Sequence, residues 1–179
     1  MKEAKLQGRY AQSLYILAKE ENITEQVYKD ILSIKKVCLE EREFQLLLKN
    51  AVVKPSMKKQ ILNAVFSHNS QTLTMKFLNF IVDKRRDIYL LGICEEFVEI
   101  YNKEHNIKKA SLIVSKDISL ETTQRMKEIL SKDFNSDIDL ETQTDESILG
   151  GFSLCIDGKL YDASYKKKLA DLRKELLSN

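Results

Sequence analysis

Between Ala4 and about Glu104 the chain carries one proline and two glycines, and its apolar residues recur at spacings of three and four rather than two. So long a stretch with so few breakers, at that period, predicts consecutive amphipathic helices packed as a bundle. Leu6, Tyr10, Leu14 and Leu17 mark a first face, Val27, Ile31, Ile34 and Cys38 a second, and Phe44, Leu47 and Leu48 a short third. Pro55 restarts the chain, because a proline in the first helical turn gives up only a donor that has no partner there. Ile61, Leu62, Val65 and Phe66 follow on a fourth helix, which Ser67 to Ser70 breaks. Leu73, Phe77, Phe80 and Ile81 make a fifth face, and Leu90, Ile93, Phe97, Ile100 and Tyr101 a sixth, with Asp87 near the start of that helix.

The pattern changes after His105-Asn106. Ala110 to Ser115 is a short β-rich run, Ser119 can cap a helix carrying Met126, Ile129 and Leu130, and Ile138 to Thr142 alternates like a strand. Phe152, Leu154 and Ile156 then alternate with Ser153 and Cys155, and Asp157-Gly158 supplies the positive-φ positions of a two-residue hairpin before Lys159, Leu160 and Tyr161 return. Asp162 and Ser164 can cap a last helix with Leu169, Leu172 and Leu176 at helical spacing and Lys166, Lys167, Lys168, Arg173 and Lys174 around the other faces. The expected fold class is therefore α with a smaller α/β unit: a six-helix bundle over residues 1–105, then an α/β domain over residues 106–179. The second part is small for an independent core and is expected to be the less stable one.

With 179 residues, 43% of them hydrophobic, the chain can bury a core. Its net charge of +2, from 29 basic and 27 acidic residues, is far from the balance of a protein that tracks phosphates. The part before His105 carries +3 and the rest −1, so neither is a charged tail. These numbers favour protein partners. Cys38, Cys94 and Cys155 are odd in number and widely spaced, which is most simply read as a reducing compartment. The amino terminus has no apolar core behind its charges, and no run approaches the roughly 18 apolar residues of a membrane span. A soluble, unprocessed chain is expected.

An enzyme reading lacks its parts. His68 and His105 are isolated and read as surface residues; there is no HExxH, no spaced Cys/His ligand set and no GxSxG elbow. Five glycines, at 8, 92, 150, 151 and 158, compose neither a Walker loop nor a GxGxxG turn. No cofactor, metal or small-molecule substrate is implied. Gly150-Gly151 reads as a strand start that needs room, with a close-approach site for a partner as the other reading. Lys166 to Lys168 reads as a solvated helix face, with anionic lipid or RNA as the alternative, and Lys84-Arg85-Arg86-Asp87 as charge matched to helix ends, with an acidic partner as the alternative. The first helix carries more apolar surface than one stripe needs. With Tyr10, Leu14 and Leu17 toward the bundle and Ala11, Tyr15 and Ala18 around the side, there is room for a groove that takes a partner helix.

Two separated blocks resemble the delta subunit of F-type ATP synthase, the oligomycin-sensitivity-conferring protein of mitochondria. The first is Arg9-Tyr10-Ala11 through Leu14, Leu17, Ala18 and Glu20; the second is Asp145, Leu149-Gly150-Gly151-Phe152, Asp162-Ala163-Ser164 and Leu169. Phe44 to Leu48, Lys58 to Leu62, and Asn79 to Arg86 with Phe97 lie between them in family order. The resemblance implies a non-catalytic stator subunit on the peripheral stalk of a proton-translocating rotary ATP synthase, without cofactor, at the cytoplasmic face of the bacterial inner membrane. It implies that the helical part takes amino-terminal helices of alpha subunits against its first and fifth helices, at Tyr10, Ser13, Leu14, Leu17, Met75, Leu78, Asn79 and Val82. It further implies that the α/β part, with Gly150, Gly151, Asp162, Ser164 and Leu169, meets the carboxy-terminal end of the b subunits. The chain departs from the family pattern at Ala51, at Tyr161 and Ala163, and in lacking a glycine shortly before Ile138. A helical RNA-binding or antitermination-type module is the alternative. It predicts steep salt dependence, where an apolar helix-in-groove complex is much less sensitive.

Overall fold

A computed structural model describes residues 2–116, 118–148, 150–156 and 158–178. The chain is mostly helical with one small four-stranded sheet, and it divides into two compact units, Met1–Asn102 and Lys103–Asn179. Leu149 and Asp157, and the side chains of Leu172 and Lys174, lie outside the described residues.

The first unit contains α1 (Lys2–Glu20), α2 (Thr24–Glu40), α3 (Arg42–Lys49), α4 (Pro55–Phe66), α5 (Thr72–Asp83), a 3-10 turn at Asp87–Tyr89 and most of α6 (Leu90–Glu104). Its core is the buried faces of these helices: Ala11, Leu14, Tyr15 and Ala18 of α1, Val27, Ile31 and Ile34 of α2, Phe44 of α3, Leu62 and Phe66 of α4, Leu78, Ile81 and Val82 of α5, and Ile93, Phe97 and Val98 of α6. Tyr15 meets Phe97 edge to face at 6.0 Å, and Phe44 meets Phe66 likewise at 6.0 Å. The faces of α1 depart from the sequence expectation in part: Leu14 enters the core as expected, Ala11, Tyr15 and Ala18 are buried with it, and Leu17 is 44% exposed. Tyr15 packs on Phe97 of α6, and a Cβ on Gly92 of α6 would come within 2.3 Å of the Gln7 side chain of α1.

Two buried polar anchors fix this unit. Asp30 of α2 accepts the backbone N–H of Gln71 at 2.7 Å and the hydroxyl of Thr74 at 2.6 Å, so α2 supplies the cap that Gln71 does not give to α5. Lys58 of α4 donates to the Leu48 carbonyl at 2.9 Å and pairs with the carboxylate of Asp87 in the 3-10 turn, joining α3, α4 and that turn. Asp87 therefore lies before α6 and pairs with α4. In the loop before α4, the backbone N–H of Val52 donates to the Asn50 side chain at 2.9 Å, closing a turn around Ala51.

The second unit orders β1 (Ile107–Val114), α7 (Leu120–Phe134), β2 (Asp137–Thr144), β3 (Phe152–Ile156), β4 (Lys159–Asp162) and α8 (Tyr165–Ser178). The sheet order is β2-β1-β3-β4, with β1 and β2 parallel and the other pairs antiparallel. Both leading strands begin earlier than their apolar alternation indicates, because Ile107–Lys109 pair with Asp137–Asp139 and the ladder holds residues whose side chains stay in water. Ala110, Leu112, Val114, Ile138, Leu154 and Ile156 pack with Leu130 of α7. Ser119 caps α7 by accepting the N–H of Thr122 at 3.2 Å. The missing glycine before Ile138 is replaced by Asn135, left-handed at φ 47 as it ends α7. β3 and β4 pair with Ile156 opposite Lys159, and Gly158 holds φ +73 in their turn.

Candidate functional site

A groove of about 700 Å³ opens between α1 and α5. From α1 it is lined by Leu6, Arg9, Tyr10, Ser13, Leu14 and Leu17, from α5 by Leu73, Lys76, Phe77 and Phe80, and beyond α5 by Arg86. The helical period accounts for the α1 lining, since positions 6, 10, 13, 14 and 17 fall on one stripe. Ser13 satisfies its hydroxyl within the helix by donating to the Arg9 carbonyl at 2.8 Å. Tyr10 and Phe80 pair across the floor with ring centroids 6.2 Å apart. Phe80 is 46% exposed, and the Lys84 ammonium lies 5.6 Å from the centre of its ring. The groove is thus an apolar trough with cations on its rim, and it suits a partner that brings an apolar stripe.

Of the expected groove residues, Tyr10, Ser13, Leu14 and Leu17 line it, and Met75, Leu78, Asn79 and Val82 do not. Leu78 and Val82 are core residues, each 1% exposed, and Asn79 faces α4, donating to Asn63 at 3.4 Å. The lining of α5 is displaced to Leu73, Phe77 and Phe80, which stand at i, i+4 and i+7. That helix is apolar on two stripes, and the register of its core stripe is set by Thr74, whose buried hydroxyl is held by Asp30. The aromatic spacing of Phe77 and Phe80 was a usable signal, read as core because core is the default for such a stripe.

The second unit presents a different surface. Gly150 and Gly151 hold φ +141 and +78, and any Cβ would strike the Tyr165 ring from Gly150 at 2.6 Å and the Ala163 carbonyl oxygen from Gly151 at 2.4 Å. The two glycines let the start of β3 lie against the start of α8, where Tyr165 N–H donates to the Gly150 carbonyl and Ala163 N–H to that of Phe152. Asp162 accepts the N–H of Ser164 at 2.9 Å, and Ser164 caps α8 by accepting the N–H of Lys167 at 3.2 Å. Hydrogen bonds from Ser164, side chain first and backbone second, hold the Asp162 carboxyl below its usual value. Leu160, Tyr161, Tyr165 and Leu169 are all exposed on β4 and the first turns of α8. Four of the five expected residues therefore build the junction, and Leu169 stands on the apolar surface it supports.

The model of the family described as ATP synthase delta (OSCP) subunit matches residues 6–176. The chain belongs to this family. It is 31% identical over 170 residues to ATP synthase subunit delta of Desulforamulus reducens, covering 95% of this chain and 94% of the relative. Against the subunit delta of Bacillus cytotoxicus it is 30% identical over 172 residues, covering 96% and 95%. A chain of the Toxoplasma gondii mitochondrial ATP synthase hexamer superposes with a TM-score of 0.74 at 24% identity, covering 96% of this chain and 97% of that one, and so shares the fold. As a delta-family chain this is a non-catalytic, peripheral-stalk subunit of ATP synthase whose partners are other subunits of that complex; the catalytic activity, ATP synthesis and ion transport belong to the assembly. The RNA-binding alternative finds no support among these relatives. Among the described residues no helix is long and apolar enough to cross a membrane.

Proposed function

We propose that this delta-family subunit joins the catalytic head to the elongated stalk by two surfaces, a head-binding domain of residues 1–105 acting as one six-helix bundle and a stalk-binding domain of residues 106–179. The groove between α1 and α5 takes amino-terminal helical segments of alpha subunits, and the surface at β4 and the start of α8, supported by Gly150, Gly151, Asp162 and Ser164 and carrying Leu169, meets the carboxy-terminal ends of the b subunits. The work is mechanical: a stationary connection resists rotor torque, at the cytoplasmic face of the bacterial inner membrane, while proton flow drives nucleotide exchange in the head. Binding strength and stiffness take the place of catalysis.

The observation that carries this reading is the Tyr10–Phe80 trough itself, an apolar groove floored by the outer layer of the core and edged by the half-exposed Leu17 and Phe80. The test is calorimetric titration of the full chain with a peptide of the alpha subunit's amino terminus. Saturable binding with a negative heat-capacity change is expected, because apolar surface leaves water. Leu17→Ala and Phe80→Ala, both at half-exposed positions, should each weaken binding about tenfold while the folded chain's circular dichroism is unchanged. A folded wild-type chain that does not bind the peptide refutes the head contact. In parallel, Leu169→Asp should abolish capture by a b-subunit carboxy-terminal peptide, and unchanged capture refutes the stalk contact.

A further inference from the structure

The trough between α1 and α5 is apolar on its floor and cationic at its rim. Arg9, Lys76 and Arg86 line it and are exposed, and no Asp or Glu is among the lining residues. Among the described residues none of these three cations has an ion-pair partner, whereas Lys58 and Lys59 nearby are paired with Asp87 and Asp83. The cations are also unevenly placed. Tyr10 lies on Phe80, and the Tyr89 hydroxyl donates to Glu3 at 3.3 Å, so the carboxy-terminal end of α5 adjoins the amino-terminal half of α1. Arg9 and Arg86 therefore share that end of the groove, and Lys76 stands about one turn of α5 before Phe80.

We infer that the occupant of this groove is an amphipathic helix whose apolar stripe is flanked by carboxylates, concentrated where it passes Arg9 and Arg86. The inference rests on the groove being a docking site and adds the chemistry of its partner. An apolar floor selects a helix with a greasy stripe but accepts it in either direction and from many sources. Three unpaired cations supply the discrimination that the floor lacks, through attraction to one charge pattern and repulsion of the other. A nucleic-acid strand is disfavoured, since the chain is nearly neutral, with 29 basic and 27 acidic residues, and three rim cations are few for a phosphate-tracking surface.

The test uses the full chain, an Arg9→Glu/Arg86→Glu variant and Phe80→Ala. The ligands are two designed helices with the same leucine stripe, one flanked by glutamates and one by lysines, together with the alpha amino-terminal peptide and polyuridylate, at low and high salt. Wild type should bind the glutamate-flanked helix about tenfold or more tighter than the lysine-flanked one at low salt, since exposed pairs contribute roughly two- to fivefold each, and the preference should shrink as salt rises. The double variant should reverse the preference, and Phe80→Ala should weaken both helices alike. Equal affinity for the two helices, a preference that survives in the double variant, tighter binding of polyuridylate, or self-association that occupies the groove each overturns the inference. If the alpha peptide binds wild type and the double variant equally, the inference fails and the docking reading stands. If the glutamate helix is selected but the alpha peptide does not bind, the groove chemistry stands and the head contact fails.

Discussion

Replacing Asp30 by alanine should loosen α5, and with it one wall of the groove, although Asp30 itself lies on α2 outside the groove lining. The carboxylate is 7% exposed and serves two donors at the amino end of α5, the Gln71 N–H at 2.7 Å and the fully buried Thr74 hydroxyl at 2.6 Å. Gln71 is exposed, so water can replace the carboxylate at its N–H, but the fully buried Thr74 hydroxyl loses its acceptor, and an orphaned buried donor costs about 1–3 kcal/mol. Losing a negative charge at a helix amino terminus adds roughly 0.3–1 kcal/mol. Relief of the desolvation of Asp30 offsets part of the sum, so a net loss of about 2–3 kcal/mol is expected. Asp30→Asn keeps an acceptor and should lose about 1 kcal/mol, and Lys36→Ala, at an exposed ion pair with Glu40 on the same helix, should be near zero. Because the chain has two units, a single unfolding transition is the wrong readout. Cys38 and Cys94 give one specific to the helical unit: both are buried, and desolvation pushes Cys38 up to about 12, so neither reacts until that unit opens. Pulsed thiol labelling across a urea series, in a Cys155→Ser background, then reports the first unit alone. With a slope of about 1–3 kcal/mol per molar urea, the Asp30→Ala midpoint should fall by roughly 1–2 M. An unchanged midpoint, or a larger loss for Asn than for Ala, refutes the cross-helix cap.

Two further outcomes concern the second unit. Gly151→Ala combines left-handed backbone with a Cβ 2.4 Å from the Ala163 carbonyl oxygen, whereas Gly158→Ala meets nothing within 4 Å, so both strain the backbone but only the first also collides. Amide exchange in β3 should show a loss of about 1 kcal/mol for Gly158→Ala and clearly more for Gly151→Ala, with equal losses refuting the close-approach account. Asp162 is held below its usual value by Ser164, so its contribution is fully present above the unfolded value near about 4 and is lost as pH falls through the lower folded one. The acid limb of the second unit's stability, followed by the amide signals of Leu112 and Leu154, should therefore flatten in Asp162→Asn, and an acid limb identical to wild type refutes that role.

The helices of the first unit were legible because their breakers are few and their apolar spacing is regular; Pro55 opens α4 and the polar run from Ser67 closes it. Which face of α1 enters the core was not legible. Hydropathy ranks leucine and tyrosine above alanine, so it assigns Tyr10 and Leu17 to the interior with Leu14, but Ala11, Tyr15 and Ala18 are buried beside Leu14 while Leu17 is 44% exposed. Depth of packing is a property of two helices together, and a single helical period does not encode it. The same limit applies to α5, where two apolar stripes differ by one position and a polar residue on another helix, Asp30, selects between them. Asp30, Lys58 and Asp87 themselves carry no local signature, since a charged residue on a helix looks solvated until its partner, 29 to 44 positions away, is in view. The second unit's closing segment was readable almost residue by residue because its interactions are local: the contacts of Asp162, Ser164 and Lys167 span two or three positions, and Gly150 and Gly151 meet a turn only about a dozen residues on.

Leu14 shows how the groove relates to the fold beneath it. It lines the trough and is also completely buried, so its two sides serve the floor and the core at once. A charge there, as in Leu14→Asp, would unfold the unit before it reported on a partner, because an unpaired carboxylate has no water on either side. Leu17 and Phe80, at 44% and 46% exposed, separate the two roles. The same sharing has a mechanical consequence. A floor made from the outer layer of a packed core has its rotamers fixed before any helix arrives, so docking orders few side chains and loses little conformational entropy. A loop-built site would spend part of its contact energy on ordering itself and would yield under load. For a subunit whose task is to hold one body still against torque, a groove cut into the core's own surface gives affinity and stiffness from the same contacts.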